Sequence, residues 1–442
     1  GKGRPVTQQV EQIIEAAAQR CGGAEVYEER GETRSVSFEN NRLKRITARQ
    51  FRGVGLRVLV DGRIGFASTT DLRDPARLVE MAVESAQFGE KARFELPASP
   101  AEPTEVETED PAVGDVTLEQ MVAMGREGLE MSSAASDEYL FSASISTKTG
   151  AQRVLNTAGL DFEYTGTDMA GTAELEEVTD GGLLTVYEFK SWGRPFDSIA
   201  DVTEEALRKM EQGRRVVPAG SDRMPVIFTP KAGGNLFSPI MLALSGKQVQ
   251  KGSSVLAGKI GEKVLDERIT IVDDPSVAFA PGSSPMDDEG MPTRVLPLVE
   301  NGVVRNYLLD LQTAGLLGME PTANGYRSYA SRPSPSSANT MVAAGDTPWE
   351  EMLGGTERAL IVDQTLGSGQ SNVLAGEFSV NVSLGLLVEG GEIRGRVKDC
   401  MVAGNVYELL SDVEAIGSER QWLGANCGPP ICVGGIRLAA QG

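Results

Sequence analysis

Residues 53–69 read Gly-Val-Gly-Leu-Arg-Val-Leu-Val-Asp-Gly-Arg-Ile-Gly-Phe-Ala-Ser-Thr, and this stretch decides the fold class. Strand-like runs lie on both sides of Asp61-Gly62. Such runs are typical of β-strands that bury one face, and Asp-Gly between two of them is a strong hairpin signal. The stretch therefore predicts an antiparallel hairpin within a β-meander that begins near residue 24.

Helices are predicted on both sides of this meander. Residues 7–20 place apolar side chains on one helical face. Thr117-Leu-Glu-Gln120 has the capping-box pattern with which helices begin. Helices beside an antiparallel meander predict an α+β fold, with an N-terminal α/β domain over residues 1–217. The acidic, proline-rich stretch near residues 95–115 is interpreted as a linker.

The second half of the chain is patterned mainly as strands. Asn301-Gly302 and Gly390-Gly391 each separate two apolar-rich runs, which predicts two more hairpins. The apolar segment 232–245 is predicted to be a helix. We therefore expect a C-terminal β-rich domain over residues 218–442.

Composition and charge exclude several functional classes. The 442 residues contain 63 Asp and Glu against 42 Lys and Arg, and the resulting net charge of −21 argues against a nucleic-acid partner. No window approaches the ~18 apolar residues of a membrane span. The N-terminal residues show no apolar core of a secretory leader, so we expect a cytoplasmic protein.

The chain contains no histidine. Ser-His-Asp and Cys-His nucleophilic sites are therefore excluded, as is every zinc site that needs imidazole. Cys427 and Cys432 lie in Asn-Cys-Gly-Pro-Pro-Ile-Cys, and two thiolates alone do not complete a zinc site. We interpret them as buried thiols in a turn, with a reactive thiol as the alternative.

Two acidic clusters are weak candidates for a hard cation, which prefers oxygen ligands. The carboxylates are Asp273, Asp274, Asp287, Asp288 and Glu289. They lack the spacing of a calcium-binding loop, so the favoured interpretation is a turn cap for Asp273-Asp274 and the entry of a loop before a hairpin for Asp287-Asp288-Glu289.

Several short segments, in a fixed order along the chain, carry a family resemblance. They are Gly53–Thr69, Lys251–Ser254, Ala257–Gly261, Asp287–Thr293 with Val299–Gly302, and Gly385–Ile393. In this order they resemble the TldD/PmbA family, also called modulator of DNA gyrase, and specifically its PmbA (TldE) branch. The resemblance implies a cytoplasmic metallopeptidase, assembled from two related subunits, that acts on partly unfolded peptides.

The resemblance also implies where a metal site has been lost. In the TldD-like subunit a helix reading His-Glu-x-x-x-His binds zinc, together with a cysteine near the C-terminus. Aligned on Lys251-Gly-Ser-Ser, those helix positions are Phe237, Ser238 and Leu242 here, and Cys427 lies near the cysteine. Phe and Leu offer no donor atom, and Ser cannot serve as general base. We therefore expect no zinc in this chain, with Phe237 and Leu242 packed in the core.

Three hypotheses follow from the sequence. The favoured one is a non-catalytic subunit that shapes a peptide chamber and forms a heterodimer with a TldD-like, zinc-bearing chain. The second is a homodimer that binds peptides or a regulatory protein without hydrolysis. The third, an independent enzyme, would use a metal on the acidic clusters or a thiol at Cys427.

Overall fold

The computed structural model confirms the α+β fold, with helices on an antiparallel sheet in the N-terminal half and a β-rich C-terminal half. The structure describes residues 6–98, 102–179, 182–220, 223–367 and 371–440. No described helix is long and apolar enough to cross a membrane.

Six antiparallel strands form the N-terminal sheet, in the order β3-β2-β1-β4-β5-β6. They are β1 (Gly23–Glu39), β2 (Arg42–Val60), β3 (Arg63–Thr69), β4 (Leu140–Asn156), β5 (Asp161–Thr179) and β6 (Gly182–Trp192). The alternation of apolar and polar residues predicts separate short strands at 24–29 and 34–39 and at 139–147 and 151–156. The structure instead has single long strands, β1 and β4.

Helices cover one face of this sheet. They are α1 (Val6–Ala18), α2 (Pro75–Ser85), a 3-10 turn (Ala86–Phe88), α3 (Ala112–Asp115), α4 (Leu118–Ala135) and α5 (Ala200–Arg214). The predicted capping box is confirmed, since Thr117 and Gln120 each accept a backbone hydrogen bond from the other. Buried apolar side chains such as Val26, Leu56 and Ile145 point from the sheet to these helices.

A barrel-like sheet forms the centre of the C-terminal domain. Its strands are β7 (Arg223–Phe228), β14 (Arg358–Leu366), β15 (Glu377–Glu389), β16 (Glu392–Arg396), β17 (Cys400–Asn405), β18 (Val413–Ile416) and β21 (Ile431–Ala440). The ring closes because β15 pairs with both β17 and β14, while β7 and β21 complete the circuit.

A second, six-stranded sheet, a separate two-stranded sheet and short helices complete the C-terminal domain. The strands are β8 (Ile271–Asp273), β9 (Leu296–Glu300), β10 (Val303–Val304), β11 (Gly325–Tyr326), β12 (Ser334–Pro335), β13 (Thr340–Val342), β19 (Gln421–Leu423) and β20 (Asn426–Gly428). The helices are α6 (Gly234–Ala243), α7 (Gly246–Gln250), α8 (Leu311–Leu317), α9 (Trp349–Gly354) and α10 (Val406–Leu409), with a 3-10 turn at Val373–Ala375. Strands β11 and β12 pair only with each other among the described residues.

The predicted hairpin turns are confirmed by backbone geometry. Asp61 and Gly62 have φ of 49° and 73°, and Asn301 and Gly302 have φ of 51° and 75°. Two successive positive φ angles define the type I′ turn, whose twist matches the strands that it joins. Gly390 and Gly391 also have positive φ between β15 and β16.

The C-terminal domain docks on the sheet face that the helices leave free. A Cβ atom at Gly53 would lie 2.3 Å from the Tyr329 ring, and one at Gly55 would lie 2.5 Å from the Tyr329 carbonyl oxygen. Real Cβ contacts are almost never this short, so glycine is required at both positions. The alternating neighbours Val54 and Leu56 face the helices. The stretch that predicts the hairpin therefore also carries the docking surface.

The segment interpreted as a linker, near residues 95–115, hydrogen-bonds to both domains where it is described. The Thr104 N–H donates to the carbonyl of Pro285, and the Thr167 N–H donates to the carbonyl of Thr108. The segment thus runs along the junction of the domains.

Candidate functional site

Three of the four predicted metal-site positions line one cavity. Phe237 and Ser238 on α6 and Cys427 on β20 border a space of about 410 Å³. Tyr187 and Phe189 of β6 form another part of its wall. We call this space the α6 cavity; it lies where the N-terminal sheet meets the C-terminal domain.

The end of α6 explains the Lys251-Gly-Ser-Ser motif. The Ser254 hydroxyl donates a 2.5 Å hydrogen bond to the Ala243 carbonyl, in the last turn of α6. The same oxygen accepts the N–H of Leu256. Because helix ends leave carbonyl groups without partners, this serine stabilises the end of the helix that borders the cavity.

The fourth position, Leu242, does not lie at the cavity, and the expectation that it packs in the core is wrong. Its side chain is 37% exposed, whereas Phe237 is 8% exposed and packs in the core as predicted. Five residues advance an α-helix by about 140° beyond a full turn, so positions 237 and 242 face different directions. Met241, one turn from Phe237, borders the cavity instead.

The donor atoms around the α6 cavity do not fit zinc. Phe237 and Met241 offer no nitrogen or oxygen, and Ser238 offers a neutral hydroxyl. Burial raises the pKa of the Cys427 thiol, and one cysteine without further donors does not complete a zinc site. Among the described residues there is no cluster of three or more Cys, Asp or Glu side chains able to hold a metal ion. We therefore derive no metal-dependent step in this chain.

The surroundings of the two cysteines and of the Asp273-Asp274 cluster indicate that these residues stabilise the fold. Cys427 and Cys432 are free and buried, as predicted, but they lie in strands β20 and β21, on either side of the predicted turn rather than in it. The carboxylate of Asp273 accepts the N–H groups of Ala338 and Asn339 and a side-chain N–H of Asn324. Asp274 accepts the N–H of Ser276, two residues on, which is the predicted turn cap. Burial raises the pKa of Asp273 to about 7.

The second acidic cluster lies between the domains. Asp287 accepts three backbone N–H groups, those of Glu289, Met291 and Gly325. Asp288 accepts the N–H of Arg327, and burial raises its pKa to about 7. These carboxylates therefore order the loop that touches the N-terminal sheet.

Sequence reasoning missed the role of Glu289 in a buried ion-pair network between the domains. Arg57 of β2 donates to Glu289 at 2.6 Å and to Glu25 at 3.0 Å. Arg327 lies 2.6 Å from the other oxygen of Glu25. All four side chains are at most 3% exposed. Arg57 and Glu289 both lie in segments that carry the resemblance, but no signal in the sequence joins them to each other, to Glu25 or to Arg327.

A second ion-pair network was also missed, at the wall of the α6 cavity. Lys231 borders the cavity and lies 2.6 Å from Glu188 and 2.8 Å from Asp363. Lys209 of α5 lies 2.6 Å from Glu188 and 2.8 Å from Asp363. Two ammonium groups and two carboxylates thus compensate each other and connect the domains.

Comparisons with known proteins identify the family. The profile of the PmbA/TldA metallopeptidase C-terminal domain matches residues 221–440, and that of PmbA/TldA metallopeptidase domain 1 matches residues 24–86. This chain belongs to the PmbA/TldD family. The first match covers the barrel, α6 and Cys427, and the second covers most of β1 to α2.

Full-length matches place the chain in the PmbA (TldE) branch. The metalloprotease PmbA homolog of Haemophilus influenzae is 24% identical, over 93% of this chain and 91% of that protein. The metalloprotease TldD homolog of the same organism is 30% identical, but over only 49% of this chain and 45% of that protein. The crystal structure of TldE from Thermococcus kodakarensis is 25% identical, covers 98% of this chain and 100% of that chain, and superposes with a TM-score of 0.90.

Proposed function

We propose that this chain is the non-catalytic subunit of a two-subunit metallopeptidase and forms part of the chamber that holds partly unfolded peptides. A TldD-like chain would bring the zinc. The observation that carries the proposal is the α6 cavity, in which Phe237, Ser238 and Cys427 border a space that the described residues do not furnish with a donor set for a metal.

The chemistry of the cavity supports a peptide-holding role. Tyr187, Phe189 and Phe237 offer apolar surface, while Ser238 and Asn426 offer hydrogen-bonding groups. Ligand-binding cavities usually combine a mainly apolar wall with a few polar groups. Such a wall accepts side chains of varied sequence, as expected for a subunit that handles unfolded polypeptide.

The proposal is tested by mixing purified chains. This chain alone, a TldD-like chain with the His-Glu-x-x-x-His helix alone, and an equimolar mixture are each incubated with casein-derived peptides. We expect no cleavage by this chain and faster cleavage by the mixture than by the TldD-like chain. Equal cleavage with and without this chain contradicts the proposal. If this chain then also forms a homodimer that retains peptides, the alternative of a non-hydrolytic binding protein is supported.

A pair of variants on one helix tests whether the α6 cavity is responsible. Ser238→Glu places a charge in the cavity and should reduce the stimulation of cleavage, because an uncompensated charge opposes binding of apolar side chains. Leu242→Glu adds the same charge one helical turn further along α6, at a position that does not line the cavity, and should leave the stimulation unchanged. Equal effects of the two variants would contradict a role for the cavity.

A further inference from the structure

A second cavity lies between the N-terminal sheet and the C-terminal domain, and we call it the interdomain cavity. Its volume is about 360 Å³. Its floor is formed where Gly150 of β4 lies opposite Gly166 of β5, so that no side chain fills the space. Residues 280–284 and Arg327 of the C-terminal domain also line it. The pairs that flank the glycines are Gln152 with Tyr164 and Lys148 with Asp168.

Several polar atoms around this cavity have no hydrogen-bond partner among the described residues. Oδ1 of Asp168 and Oε1 of Gln152 are buried acceptors without a donor. Nε and Nη1 of Arg327 are buried donors without an acceptor, on a side chain that is 1% exposed. Because buried polar groups in proteins are almost always hydrogen-bonded to protein or to water, these atoms call for either water or a ligand with both donors and acceptors.

The charge around the cavity favours a cation. The charged residues that line it are Glu29, Asp168, Asp288, Lys148 and Arg327. Arg327 is already compensated, because its guanidinium lies 2.6 Å from Glu25. Glu29 and Asp168 outnumber Lys148, so the remaining charge is negative even when Asp288 is protonated. The rings of Tyr164 and Tyr326 add surfaces that attract an ammonium group.

We propose that the interdomain cavity binds the amino-terminal end of a peptide. The ammonium group donates to Asp168 and Gln152, and a carbonyl oxygen of the same peptide accepts from Arg327. The proposal rests on the proposed function as a peptide-holding subunit and adds that the held peptides carry a free amino group. Ser337 lines both the interdomain cavity and the α6 cavity, which places this subsite next to the chamber.

Calorimetric titration of the full chain, without any partner, tests this subsite. The probes are trialanine amide and N-acetyl-trialanine amide; the amide removes the carboxylate from both. We expect the free amine to bind and acetylation to weaken binding by about tenfold, the loss expected for a charge-assisted hydrogen bond. Equal affinity of the two peptides, or no binding of either, overturns the proposal.

Variants assign the effect to the cavity. Asp168→Asn should weaken binding of trialanine amide, while Glu163→Gln, on the same strand but on its other face, should not. Glu163 is exposed and pairs with Arg30 outside the cavity. Gly166→Ala provides a second variant that folds, because its methyl group would lie 3.6 Å from the Thr108 oxygen, an ordinary contact. It should also weaken binding by filling the floor.

The result of the calorimetric titration can be distinguished from the result of the mixing experiment. Stimulation of the partner's peptidase activity together with indifference to acetylation would refute only this subsite. Amine-dependent binding that Asp168→Asn weakens, without stimulation, would refute only the proposed function.

Discussion

Replacing Arg57 by methionine should loosen the contact between the two domains. The guanidinium is 3% exposed, lies 2.6 Å from Glu289 and 3.0 Å from Glu25, and stacks on the Phe94 ring at 4.6 Å. Methionine keeps much of the apolar volume but leaves Glu289 buried without its cation. Removing one partner of a buried ion pair costs about 3–5 kcal/mol. Each kcal/mol corresponds to about 2–4 °C in Tm for a domain of 150–250 residues.

Urea-induced unfolding, followed by tryptophan fluorescence, measures this loss. Trp192 of β6 and Trp422 of β19 are in edge-to-face contact at 5.2 Å, so their emission reports the junction of the domains. The control is Arg73→Met, which removes an 88%-exposed partner of Asp71 and should leave the midpoint unchanged. An unchanged midpoint in Arg57→Met would refute the structural role of the network.

The same variant should respond to pH in a defined direction. Burial raises the pKa of Glu289, and Arg57 opposes that rise. Without Arg57 the carboxyl is protonated more readily, which removes the uncompensated charge. The deficit of Arg57→Met relative to the wild type should therefore shrink as the pH falls, and a deficit that grows would contradict this explanation.

Two further predictions concern the metal site and the buried acids. Phe237→His with Met241→His should bind zinc together with Cys427, because both positions border the cavity one helical turn apart; zinc titration of this variant and of the unchanged chain measures the gain, and equal zinc binding by the two would contradict the prediction. Burial raises the pKa of Asp273 and Asp288 from 3.8 to about 7, so the native state holds these protons more tightly than the unfolded state. Their contribution to stability should therefore be lost as the pH rises from about 4 to 7. The urea midpoint should fall over that range, and less steeply in Asp288→Asn; an equal slope would contradict this.

Local features of the fold were predictable because short-range chemistry determines them. Asp61-Gly62 and Asn301-Gly302 accept the positive φ angles of a tight hairpin, and Thr117 with Gln120 satisfies the first amide groups of a helix. Each signal lies within a few residues and does not depend on the rest of the chain.

The sequence did not predict that β1 is one continuous strand, because the middle part of the strand has no buried face. Residues 29–35 are only half-buried, and the sequence there is mainly polar and charged. Without a buried face there is no alternation for sequence reasoning to detect. Pairing with β2 and β4 on both sides holds this part of the strand in the sheet.

The ion pairs and contacts at the junction of the domains join segments that are distant in the sequence. Arg57 and Glu289 are 232 positions apart, and the sequence contains no local signal that joins them. Leu242 was assigned to the former metal site by aligning positions along the sequence, whereas the direction of its side chain depends on the helical twist of α6. Gly53 and Gly55 were recognised as part of a hairpin, but their contact with Tyr329 appears only when the domains meet.

The most direct test of the account is metal analysis of the isolated chain together with a cleavage assay. The chain is purified without chelator and without a partner, its zinc is measured by plasma mass spectrometry, and its action on casein-derived peptides is recorded. We predict far less than one zinc per chain and no cleavage. One tightly bound zinc per chain, together with peptide hydrolysis, would contradict the account.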